Sequence, residues 1–194
     1  EFCDVDNDGA PDLFLGGFDN ASELLLNDGH GRFARSSGTT LPADAFPTTR
    51  IQAIEARCVD IDQDGWKDIV QLQLDKPFAD AAGPVQRRQL VWRNTGQGRF
   101  VDVTATWMPA LRNTGFMTVL RVLDVNRDGW PDLLLASGEN GEDQGLLINA
   151  GNRFVFSRVG DGSYAAPHME MDVDGDGKLD LVELTDTVRV RRQR

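Results

Sequence analysis

Four copies of one nine-residue pattern, DxDxDGxxD, punctuate this chain: DVDNDGAPD from Asp4, DIDQDGWKD from Asp60, DVNRDGWPD from Asp124, where Asn126 stands for one Asp, and DVDGDGKLD from Asp172. Side chains at positions 1, 3 and 5 of such a loop converge on one point only if the backbone turns sharply, and the glycine at position 6 allows that turn. Position 7 then offers a backbone carbonyl and position 9 a further carboxylate, which together make the six or more hard oxygen ligands that Ca²⁺ takes. Magnesium fits less well, because it demands a strict octahedron and keeps several waters. The expected ligands are Asp4, Asp6, Asp8 and Asp12; Asp60, Asp62, Asp64 and Asp68; Asp124, Asn126, Asp128 and Asp132; and Asp172, Asp174, Asp176 and Asp180. The carbonyls of Ala10, Trp66, Trp130 and Lys178 complete up to four Ca²⁺ sites. The third loop carries one negative charge fewer and is expected to bind most weakly. One such run alone is ordinary turn chemistry; four in register are a repeat.

The loops also explain the charge. They hold fifteen aspartates, and without these the formal charge of −11 would become +4. The acidity is therefore local and open to neutralisation by metal, and it argues against nucleic acid as a partner.

The flanks argue against an EF-hand, which needs a bidentate Glu at position 12 and helices on both sides; only the fourth copy has that Glu, and it falls in a strand-like run. Position 12 is Leu15, Gln71, Leu135 and Glu183. The segments after the loops, DLFLGG, DIVQLQLD, DLLLAS and DLVELT, read as short strands, as do FC, ARCV, VLRVL and HMEM before them. Each loop then joins two strands. The copies start 56, 64 and 48 residues apart, a spacing that signals propellers or solenoids and that four short strands fill. After each of the first three loops comes an apolar strand, an Asn-Gly-rich turn and a Phe (Phe33, Phe100, Phe154). This is hairpin chemistry, and the Phe is expected to pack in the core between neighbouring blades. Residues 75–88 read as an inserted loop on one rim, where a binding surface can lie. The expected organisation is a single repeat domain over 1–194, with blades at about 1–56, 57–120, 121–168 and 169–194, the last incomplete.

A DxDxDGxxD loop, a D-L-V-like strand and an N-x-G-x-G-x-F turn together resemble the FG-GAP/VCBS repeat, the calcium-loop blade of integrin alpha-subunit propellers and of many secreted bacterial proteins. The stretch LRNTGFMTVLRVLDVNRDGWPDLLLAS is also similar to repeats of the cartilage acidic protein (ASPIC/UnbV) group. The resemblance implies an all-β fold, a β-propeller of about four blades' worth of four-stranded repeats belonging to a larger ring of about seven blades; closed rings span four to eight. The chain opens three residues before its first loop and ends at DTVRVRRQR without the turn and Phe of the other units. Its edges are expected to pair with further blades of a longer chain or with another copy.

Other residues take the plainer reading. Cys3 and Cys58 lie one and two residues before their loops, on alternating positions that point to opposite faces, so two buried thiols are favoured over a disulfide. His30 and His168 accompany no nucleophile in a recognisable elbow and no zinc spacing. Trp66 and Trp130 leave their rings free for packing against a neighbouring blade or, less simply, for stacking on a sugar. RVRRQR at the end reads as a solvated strand face. No membrane span is read. The chain is expected to be a calcium-binding, non-enzymatic module for extracellular adhesion or interaction, secreted, at the cell surface or in a periplasm. Its partner would be a protein or glycan ligand; the alternative is a lectin or the accessory propeller of a polysaccharide lyase or hydrolase.

Overall fold

A computed structural model describes residues 1–35, 38–45, 51–75, 87–109, 117–137, 145–158, 168–177, 180–184 and 188–191. The fold is all-β apart from one helical turn. The strands are β1 (Phe2–Cys3), β2 (Asp12–Leu15), β3 (Glu23–Asn27) and β4 (Phe33–Ala34); β5 (Ile51–Val59), β6 (Asp68–Asp75), β7 (Arg87–Asn94) and β8 (Phe100–Asp102). They continue as β9 (Met117–Leu123), β10 (Asp132–Ser137), β11 (Gly145–Asn149), β12 (Phe154–Arg158), β13 (His168–Met171), β14 (Asp180–Leu184) and β15 (Val188–Arg191). Each set of four forms one antiparallel meander, and β13–β15 form a three-stranded one. These sheets have the make-up of propeller blades. Every Asp-rich loop connects the first strand of a sheet to the second, so β5 and β9 begin the sheets of the loops that follow them.

The chain divides into two compact units, Glu1–Ala110 and Leu111–Arg194. In the first, Cys3, Val5, Phe14 and Leu24 meet Ile69, Leu90, Trp92 and Phe100 in one core. Phe14 and Trp92 pack edge to face, with ring centroids 6.1 Å apart, a preferred aromatic geometry. Gly16 is required where β2 runs out against β5: a methyl there would lie 2.5 Å from the Ala53 Cβ. The Ala53 N–H donates to the Gly17 carbonyl at 2.7 Å and fastens the two sheets at that point. In the second unit, Leu133, Leu134 and Leu135 on the central strand β10 are all buried, with Leu120, Val125, Leu147 and Phe154 also in the interior. The sequence of β10 is apolar without alternation because both its faces are covered.

Two expectations are corrected. Cys3 and Cys58 form a disulfide, with Cα atoms 5.9 Å apart. Their alternating positions do point to opposite faces, but the strands belong to two different sheets, and it is the opposite faces of adjacent sheets that meet. Phe100 and Phe154 are buried, whereas Phe33 is 39% exposed and lies tilted against Phe2 at 6.2 Å. Its strand is two residues long, while Phe100 is held by Thr40, whose carbonyl accepts the Phe100 N–H at 2.9 Å. A helical turn, α1 (Thr104–Trp107), follows β8. The Asp102 carboxylate accepts the Thr104 N–H at 2.8 Å and burial of Trp107 holds the turn in place. No helix among the described residues is long and apolar enough to cross a membrane.

Candidate metal centres in the blade loops

The loops share one backbone path. Position 4 takes the left-handed conformation in Asn7, Gln63 and Arg127 (φ 57–58°) and in Gly175, and position 6 does so in Gly9, Gly65, Gly129 and Gly177. The position-6 N–H donates to the position-1 carboxylate: Gly9 to Asp4 at 3.0 Å, Gly65 to Asp60 at 3.0 Å, Gly129 to Asp124 at 2.9 Å and Gly177 to Asp172 at 2.7 Å. In the first three loops the position-7 N–H donates to the position-5 carboxylate, from Ala10, Trp66 and Trp130 to Asp8, Asp64 and Asp128. These donors turn the carboxylates inward before any ion is considered. The apolar residue at position 2 is buried beneath the loop in Val5, Ile61 and Val125.

The position-9 aspartate does more than offer an oxygen. Asp12, Asp68, Asp132 and Asp180 are all buried. One oxygen of each accepts the position-2 N–H, from Val5, Ile61, Val125 and Val173, at 2.9–3.0 Å. In the first three sheets the other oxygen accepts the N–H of the asparagine that opens the hairpin turn: Asn27 at 2.9 Å, Asn94 at 2.7 Å and Asn149 at 2.7 Å. One side chain thus closes the loop and fixes it to the third strand. Burial pushes the Asp68 carboxyl up to about 7; the two N–H donors oppose this, and Asp62 and Asp64 add repulsion. Burial likewise raises Asp12 and Asp132.

Three loops bring carboxylates together with oxygens within 4.8 Å of one another: Asp4, Asp6 and Asp8; Asp60, Asp62 and Asp68; Asp172, Asp174 and Asp180. Asp12, Asp64 and Asp176 lie outside these triads. Among the described residues the third loop forms no such triad. There the neutral Asn126 amide stands where the other loops carry a charged position-3 carboxylate, and it donates to Asp128 at 2.8 Å. Lys178, expected to lend a carbonyl in the fourth loop, lies outside the described residues. The test of fit for a cation is the state of the oxygens. Asp4 Oδ1 and Asp62 Oδ1 are buried without a hydrogen-bond partner. A buried anionic oxygen left unpaired is costly, and a hard cation satisfies it. The residues of the first two loops therefore fit a hard metal cation.

Several partners were not legible in the pattern. The asparagines at the hairpin turns are one set; the Asn94 amide also donates to the carbonyls of Val5 at 2.8 Å and Lys67 at 3.1 Å. Their recurrence at N-x-G is the signal in the sequence, and by itself it specifies only a turn. Asn7 donates to the Gly65 carbonyl at 2.9 Å and so ties the first loop to the second. Arg93 on β7 pairs with Asp62 and, at 2.6 Å, with Asp64. The rings of Trp66 and Trp130 pack on the hairpin turns of their own sheets: a methyl on Gly96 would meet the Trp66 ring at 3.4 Å, and one on Gly151 the Trp130 ring at 4.0 Å. Gly96, at φ +106°, answers both to its backbone and to the ring above it.

The profile of the FG-GAP-like repeat family matches residues 4–71, 80–135 and 124–183. The first match starts on Asp4 and ends beyond the second loop, and the last two share the third loop. The matched family is the general repeat, and the narrower likeness to the ASPIC/UnbV group finds no support in it. A search among curated proteins gives no match.

Proposed function

We propose, from the premise that the chain belongs to the FG-GAP-like repeat family, that it is a calcium-stabilised, non-enzymatic interaction module of an oxidising, extracellular-type compartment. The observation that carries the reading is the pair of buried, unpartnered oxygens, Asp4 Oδ1 and Asp62 Oδ1, each within a convergent carboxylate triad. When bound, Ca²⁺ supplies the positive charge that offsets repulsion among these carboxylates. The chain does the rest. Asp4, Asp6 and Asp8 would hold an ion in the first loop, Asp60, Asp62 and Asp68 in the second, and Asp172, Asp174 and Asp180 in the fourth. In the second loop Asp68 transmits that order to the strands, because its oxygens also accept backbone N–H groups of the loop and the third strand. Sheet edges and rim loops are then presented in fixed positions to a partner. The Cys3–Cys58 disulfide supports an oxidising compartment. There calcium is abundant enough for sites of about 10⁻⁴ to 10⁻³ M, the range of extracellular modules. A protein ligand is preferred to a glycan because the Trp66 and Trp130 rings lie against Gly96 and Gly151. The inserted loop at 75–88 lies almost wholly outside the described residues.

The test is thermal unfolding in EDTA, in Ca²⁺ and in Mg²⁺. At about 1 mM Ca²⁺ and the Kd range above, each site should add about 0.4–1.4 kcal/mol. Calcium should raise the melting temperature reversibly and by more than magnesium does; an identical melt in EDTA and in millimolar Ca²⁺ would refute the reading.

A further inference from the structure

The first two loops carry the same four aspartates, yet among the described residues only the second has an arginine fixed against it. Asn94 is clamped to Asp68 through its N–H at 2.7 Å, so the residue before it, Arg93, is held one position from the loop. The corresponding residues before Asn27 and Asn149 are Leu26 and Ile148, which carry no charge. The Arg93 Nε donates to Asp62 Oδ2 and its Nη2 to Asp64 Oδ2 at 2.6 Å, so one guanidinium bridges positions 3 and 5. Its side chain is 32% exposed and those of Asp62 and Asp64 are 14% and 26% exposed. The contact is therefore partly shielded from water, where a planar guanidinium binds carboxylates well. In the first loop the position-5 carboxylate, Asp8, belongs to the triad; in the second its counterpart, Asp64, is held by Arg93. Asp62 is shared, with Oδ2 on the guanidinium and Oδ1 buried and unpaired.

We propose that Arg93 is a resident cation of the second loop, which competes with Ca²⁺ for Asp62 and Asp64 and sets that site to respond at higher calcium than the first. This rests on the calcium reading given above. A divalent ion entering the second loop meets a fixed positive charge a few ångströms away and must share or displace it, whereas among the described residues the first loop presents no paired arginine. Without calcium, the same guanidinium offsets the repulsion that the first loop has to bear.

The experiment is a Ca²⁺ titration of the ¹⁵N-glycine-labelled 194-residue chain, following the amides of Gly9 and Gly65 as reporters of the two loops. In the wild type the Gly65 midpoint should lie about tenfold above that of Gly9, a factor equivalent to about 1.4 kcal/mol. Arg93→Leu, which installs the residue of the first sheet, should bring the Gly65 midpoint down about tenfold and leave that of Gly9 unchanged. Arg93→Lys should keep it raised. The converse variant, Leu26→Arg, should raise the Gly9 midpoint and carries the test if Arg93→Leu fails to fold. An unchanged Gly65 midpoint in Arg93→Leu, or a higher one, overturns the proposal while the calcium reading stands. If neither glycine responds to calcium in any variant, the calcium reading itself fails and the proposal falls with it.

Discussion

Removing the Cys3–Cys58 disulfide should destabilise the first compact unit far more than the second. The bridge spans a sequence separation of 55 residues. Opening a loop of that length returns about 14 cal/mol/K of chain entropy to the unfolded state, or about 4 kcal/mol at 25 °C. Unfolding entropy near the midpoint is about 2.1 cal/mol/K per residue, so for a unit spanning Glu1–Ala110 the loss corresponds to a fall in Tm of about 15–20 °C. The variant is C3A/C58A, which avoids leaving a polar group among Val5, Phe14, Ile69 and Trp92. It is compared with the oxidised wild type by urea unfolding in EDTA, which keeps metal out of the comparison. Tryptophan fluorescence reports mainly on the first unit, since Trp66, Trp92 and Trp107 lie in it and only Trp130 in the second. Amide exchange supplies the internal control, because protection in residues 117–137 should be unchanged. A loss below about 1 kcal/mol, or equal loosening of both units, would refute the reasoning.

Two further outcomes concern the clamp at position 9. The folded chain holds the Asp68 carboxyl at about 7 while the unfolded chain releases that proton near 3.8, so between these values the folded state binds more protons. Stability in EDTA should therefore fall as pH rises through that window and level off above about pH 7, with Asp12 and Asp132 acting in the same direction. Urea midpoints at pH 5 and 7.5 check this, and greater stability at the higher pH would count against it. Asn94→Ala removes the amide that serves the Val5 and Lys67 carbonyls and the oxygen that accepts the Gly96 N–H at 2.9 Å. A loss of about 2–4 kcal/mol is expected from leaving these groups unpaired. A loss within 0.5 kcal/mol, about that of a neutral surface change, would show that the turn is held elsewhere.

What could be read along the chain was whatever local chemistry dictates. The glycine at position 6 and the aspartates at fixed intervals gave the loops, because a left-handed turn and converging carboxylates are decided within nine residues. The strands on either side followed from short apolar runs, and the hairpin turns from Asn and Gly. Recurrence of that unit then implied blade-like sheets, since each repeat offers one meander. The packed chain decided which distant residues meet. Cys3 finds Cys58 because adjacent sheets present opposite faces to each other, a relation that alternation within one strand cannot express. Phe33 stays partly exposed while Phe100 is buried, although both follow the same turn, because Thr40 hydrogen-bonds at one of them and not at the other. Trp66 settles on Gly96, thirty residues on, and Arg93 reaches Asp62 and Asp64 across the sheet. The position-9 aspartate lies between the two kinds of information. Its place in the motif announced an oxygen ligand, but only the pairing of the second and third strands brings an asparagine N–H to its other oxygen and makes it the fastening between loop and sheet.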